Sequence, residues 1–190
     1  MTEPGDAPLD RILRALAAAR VPYAVIGAAA RNAWAPPRLT TDLDFAVVAD
    51  PDGYRRLVAA LADLSYSPVR SHRADPSDLL PAVTIFRNEG APAPYRQIDV
   101  LVAATPFERE AVERAVEKPL GDASVRVATR EHLIVYKLIA WRPRDRQDVR
   151  DVIATAEVAG AALGWDLIRS WAAVWEVEDR LARALEPDDG

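Results

Sequence analysis

Apolar residues recur at helical spacing from Leu9 to Ala19 (LDRILRALAAA) and stop at Val21-Pro22, which predicts a helix. YAVIG is then a short buried strand ending at Gly27, and residues 28–35 (AAARNAWA) form a helix cut off by Pro36-Pro37. Asp42 to Val48 is apolar on both faces after its two aspartates, the pattern of a central strand. Asp50-Pro51 opens a helix to about Leu64, with Asp50 as its cap. Residues 65–82 are polar and patternless. The segments 82–88 (AVTIFRN) and 96–103 (RQIDVLVA) pair as a hairpin around EGAPAP. Thr105-Pro106 starts a helix to about Glu117, and 124–128 (SVRVA) is a last short strand. From Thr129 the period becomes helical throughout: 130–142, 145–159, 166–175 and 177–185, with Thr129, Asp145 and Asp166 as caps.

This order predicts an α/β (α+β) chain: a mixed sheet flanked by helices over 1–128, then a C-terminal helical bundle over 129–190. At 190 residues and 50% hydrophobic, the chain can bury an ordinary core. No apolar run approaches the length of a membrane span, and the acidic N-terminus lacks the apolar stretch of a signal peptide. With no cysteine, disulfides and thiolate metal sites are excluded, which suits a cytoplasmic location. A net charge of −5 argues against a protein that coats nucleic acid. There are 22 arginines against two lysines, Lys118 and Lys137.

The candidate chemistry lies in RLTTDLDFAVV. Alternate residues of a strand share a face, so Asp42 and Asp44 stand side by side and repel. Asp99, in RQIDVLVA, is again near the start of an apolar strand. If that strand neighbours the first, the three carboxylates converge. Hard oxygen donors suit Mg²⁺ or Mn²⁺, and a cation between them would offset the repulsion. Upstream, Ile26-Gly27-Ala28 is a strand-to-helix turn where backbone amides can approach a phosphate.

VIGAAARNAWAPPRLTTDLDFAV resembles the nucleotidyltransferase superfamily with a polymerase-β-like fold: a small pair, a short helix, Asp-x-Asp, and a third carboxylate on a later strand. Within it, the chain looks most like the small bacterial branch of AbiEii-type toxins of type IV toxin–antitoxin systems. Arg38, Thr40, Asp42 and Asp44 match that branch's Arg-x-Thr-x-Asp-x-Asp. Lys137, Arg142, Asp148 and Asp151 match its helical Lys-x4-Arg-x5-Asp-x2-Asp. The resemblance covers roughly residues 9–185. It implies transfer of a nucleoside monophosphate from an NTP such as ATP to a hydroxyl of RNA, protein or a small molecule, with an antitoxin as partner.

In that reading Asp42, Asp44 and Asp99 hold metal, with Asp99 as metal ligand or base. Gly27, Ala28, Arg38, Thr40, Lys137, Arg142 and Asp148 serve the nucleotide. Position 28 departs from the pattern: the family has Gly or Ser there, and Ala28 offers only its amide. A catalytically impaired nucleotide- or partner-binding module is the alternative.

Several features have plain structural readings. Arg142, Arg144, Arg146 and Arg150 with Asp145, Asp148 and Asp151 read as a solvated helix surface. Lys137 reads either as a phosphate contact or as a snorkelling lysine. His132 caps or packs, His72 sits in a polar loop, and Trp165, Trp171 and Trp175 pack the tail.

Overall fold

The computed structural model describes residues 7–75 and 78–186; the first six residues of the acidic N-terminus fall outside it. Its elements follow the order α1 (Pro8–Ala19), β1 (Tyr23–Ile26), α2 (Gly27–Trp34), β2 (Leu43–Val47), α3 (Pro51–Ala62), β3 (Ser67–His72), β4 (Val83–Arg87), β5 (Gln97–Val102), α4 (Pro106–Glu113), β6 (Val116–Leu120), β7 (Ala123–Val127), α5 (Arg130–Ala140), α6 (Asp145–Val158), α7 (Trp165–Val174) and α8 (Glu178–Leu185). The strands form one mixed sheet in the order β3-β4-β5-β2-β1-β7-β6.

Register places the site. β2 runs parallel to β5 with Asp44 opposite Asp99, and antiparallel to β1 with Ile26 opposite Asp44. Residues opposite one another in a ladder project to one face. Ala24, Ile26, Asp44, Ala46, Asp99 and Leu101 therefore share a face, whose apolar end packs on Val112 of α4 and on Tyr136 of α5. The alternate residues Leu43, Phe45, Val47, Val25 and Val100 enter the main core with Ile12 and Leu16 of α1 and Leu57 and Leu61 of α3. Phe45 is fully buried, and truncating such a ring costs about 3–5 kcal/mol.

Caps and turns fix the connections. Asp50 accepts from Gly53 N at 2.6 Å, and Thr105 with Glu108 forms a capping box. Thr129 caps α5 by accepting from His132 N. Trp171 and Trp175 of the tail meet Phe107 of α4 edge to face, with ring centroids 5.4 and 6.1 Å away, so these indoles pack the tail onto the body.

Three expectations are corrected. The patternless stretch after residue 64 contains β3, an edge strand with six exposed residues, and it carries His72. The helix after Thr105 ends at Glu113, because Val116–Leu120 pairs with β7 as a second edge strand. Asp145 and Asp166 are not caps: those positions are Arg144 and Gly164, without side-chain cap bonds.

Candidate active site

The sheet register brings the three carboxylates together: one oxygen each from Asp42, Asp44 and Asp99 lies within 4.8 Å of the others. That is well inside the roughly 8 Å that a pair of cations ~4 Å apart could bridge. Each carboxylate is steered. Thr40 Oγ1 donates to Asp42 at 3.2 Å, and Gln97 Nε2 donates to Asp99 Oδ1 at 2.9 Å. Asp44 lies over Gly27, whose φ of +64° and closeness to the carboxylate both demand glycine.

Electrostatics show the strain of the cluster. Burial, then the charges of Asp42 and Asp99, pushes Asp44 up to about 7, against partial relief from Lys137 and Arg142. Burial also raises Asp99, offset by the Gln97 hydrogen bond and reinforced by Asp42.

These groups open onto a cleft of about 920 Å³, lined by Gly27, Ala28, Arg38, Thr40, Lys137 and Arg142 as well as by the three aspartates. The start of α2 lines it with Gly27 and Ala28, whose amides belong to the helix's first turn and have no intrahelical partners. Ile26, Leu101, Tyr136 and Ile139 supply apolar wall.

Asp148 has a different place. It is nearly buried and is absent from the cleft lining among the described residues. Arg38 grips it twice, Nε to Oδ1 at 3.0 Å and NH2 to Oδ2 at 2.8 Å. Lys137 Nζ sits 2.8 Å from Asp148 Oδ2 and 2.9 Å from Asp145 Oδ1. Burial alone would raise Asp148, but hydrogen bonds from Arg38 and Lys137 hold it below the usual carboxylate range. The solvated-surface reading of Asp145 and Asp148 is thus overturned: both are buried in an ion-pair network reaching across the molecule. Lys137, 8% exposed, does not snorkel.

Sequence reasoning passed over Arg31 and Asn32. Asn32 exchanges hydrogen bonds with the backbone of Arg38, at 3.0 and 2.6 Å, and so sets the loop that delivers Thr40 and Asp42. Arg31 contacts Asp148, Asp151 and the carbonyl of Pro36. The clue was a polar pair inside a helix otherwise built of alanine and tryptophan.

The sequence of residues 11–153 matches the family described as "Nucleotidyl transferase AbiEii toxin, Type IV TA system". The chain belongs to this family. No curated protein matches the AbiEii-family chain in sequence. Solved structures do in shape. The antibiotic-resistance factor ANT(2'')-Ia in solution superposes with a TM-score of 0.62 at 13% identity, over 93% of both chains. The lincosamide antibiotic adenylyltransferase LnuA with bound lincomycin gives 0.55 at 16%, covering 79% of this chain and 97% of that one. An antigenic nucleotidyltransferase-like protein from Paracoccidioides brasiliensis gives 0.53 at 17%, covering 94% and 91%. The AbiEii-family chain therefore has the nucleotidyltransferase fold. No described helix is long and apolar enough to cross a membrane.

Proposed function

We propose that this chain transfers a nucleoside monophosphate from an NTP to a hydroxyl acceptor, with a divalent cation, Mg²⁺ or Mn²⁺, held by Asp42, Asp44 and Asp99. The observation that carries this reading is the convergence of three carboxylates within 4.8 Å at the mouth of a cleft that also holds a helix start and Lys137. The donors fit such an ion. All are oxygens, and Asp44 is raised to about 7 by burial and by its two anionic neighbours, a repulsion that a cation relieves. When bound, the ion supplies Lewis-acid stabilisation of charge on the phosphoryl oxygens.

The chain's own groups do the rest. Amides at Gly27 and Ala28 and the cations of Lys137, Arg38 and Arg142 take the triphosphate. Asp99 either completes the cation's ligands or accepts the proton of the attacking hydroxyl, which then passes to solvent. The new bond joins that oxygen to the α-phosphorus; the bond that breaks releases pyrophosphate. Most of the rate then comes from positioning and preorganised charge.

The acceptor is a hydroxyl of RNA, protein or a small molecule. Membership of a type IV toxin family supports a toxin role in the cytoplasm beside an antitoxin partner, while the fold shared with a lincomycin-bound adenylyltransferase supports a small acceptor. A second reading, an impaired nucleotide-binding module, rests on Ala28, which lacks the hydroxyl of a serine at the helix start.

The test is incubation with each α-labelled NTP and Mg²⁺, in the presence of total RNA, protein and aminoglycosides in turn. Label moving onto one acceptor with release of pyrophosphate is expected. NTP binding without transfer to any acceptor or to the protein itself would favour the second reading.

A further inference from the structure

Arg31 stands at a junction. It projects from α2, is 4% exposed, and does not belong to the cleft lining among the described residues. Its Nε lies 3.4 Å from Asp148 Oδ1, an ion-pair contact without a hydrogen bond. One terminal nitrogen pairs with Asp151, and the other donates to the carbonyl of Pro36. One side chain thus ties the helix that begins at Gly27, the loop that carries Arg38 to Asp42, and α6 of the tail.

The carboxylate it holds, Asp148, also holds two of the cleft's cations, Arg38 and Lys137. Asp148 Oδ1 is shared between Arg31 and Arg38, and Oδ2 between Arg38 and Lys137. Three cations (Arg31, Arg38, Lys137) thereby face three carboxylates (Asp145, Asp148, Asp151), a balanced set with Arg31, Lys137, Asp145 and Asp148 buried and Arg38 and Asp151 half-buried. Two of the cations look into the cleft; the third cannot touch anything bound there.

We propose that Arg31 is a positioning residue for nucleotide: by drawing off part of the charge of Asp148 and Asp151, it leaves more of the charge of Arg38 and Lys137 uncompensated toward a triphosphate in the cleft. This rests on the nucleotidyl-transfer reading. Without the guanidinium, Asp148 belongs wholly to Arg38 and Lys137, and the set turns net negative beside an anionic ligand. Removing the charge of Asp151 does the reverse. Arg31 then falls on Asp148 alone, and the set turns net positive. The two substitutions therefore move affinity in opposite directions, whereas loss of a purely structural tie weakens the site in both.

The experiment is calorimetric titration of ATP, CTP, GTP and UTP with Mg²⁺ into wild type, R31M, R31K and D151N. Melting temperature and Mn²⁺ affinity are recorded alongside. R31M should weaken the preferred NTP by about tenfold, the scale by which removing a partner that orients a metal ligand weakens a metal site. R31K should recover part of that loss, D151N should tighten binding, and Mn²⁺ affinity should stay level. If R31M does not fold, R31K and D151N still carry the opposite signs. Unchanged affinity in R31M, or a loss shared by the arginine variants and D151N, overturns the proposal. Absence of NTP binding by wild type itself would instead mark the failure of the transfer reading beneath it.

Discussion

Gly27 lies directly beneath Asp44: a Cβ built on Gly27 would stand 2.6 Å from the carboxyl carbon of Asp44. The helix start and the central carboxylate are thereby fitted to one another. Gly27→Ala must both adopt a φ of +64° and displace Asp44. The backbone alone costs about 1–2 kcal/mol. The variant should lose at least that much in urea unfolding and should bind Mn²⁺ more weakly than wild type.

Asp44 makes the metal-free protein sensitive to pH. Its carboxyl is raised in the folded state to about 7, above its ordinary value of 3.8, so the folded chain binds the proton more tightly than the unfolded one. The stability this contributes is fully present below about pH 4 and is lost as pH rises through 7. Denaturation in EDTA across pH 4–8 should show that decline. Asp44→Asn should flatten it and stabilise the metal-free protein near neutrality. Saturating Mn²⁺ should restore stability to wild type above pH 7, and not to the variant.

The two lysines should part company. Lys137 neutralises two buried carboxylates, Asp145 and Asp148. Removing one partner of such a set costs about 3–5 kcal/mol. Lys137→Ala should therefore destabilise the fold strongly as well as weaken NTP binding. Lys118 sits 4.2 Å over the ring of Trp34, with Arg130 4.3 Å from the same ring. Lys118→Ala should lose about 0.5–1 kcal/mol and leave NTP affinity unchanged. Chemical denaturation paired with NTP titration on both variants checks the contrast.

What the sequence showed and what it hid divides along physical lines. Central strands announced themselves, because Phe45, Val47, Ile98 and Val100 must be apolar to be buried, and a carboxylate at the mouth of such a run stands out. The hairpin of β4 and β5 followed from the same rule. The two strands not foreseen, β3 and β6, are the two edges of the sheet. Each is largely exposed and contains a proline, Pro68 or Pro119, so backbone pairing rather than apolar alternation holds it.

The ion-pair network was hidden for a different reason. Aspartates three apart on a helix look the same whether they meet solvent or a cation on another element. The partner of Asp148 at Arg38 is 110 residues away. Local spacing suggested neighbours on α6, and the fold chose cations from α2, its following loop and α5 instead.

The central claim is that Asp42, Asp44 and Asp99 form the metal-dependent centre of a nucleotidyl-transfer site, and pyrophosphate release tests it most directly. Wild type and Asp44→Asn are each incubated with the four NTPs and the acceptor set of total RNA, protein and aminoglycosides, once with Mg²⁺ and once with EDTA. The account predicts release by wild type with at least one NTP, only when Mg²⁺ is present, and none above background from Asp44→Asn. Equal release from the two proteins, or release by wild type that persists in EDTA, would contradict it.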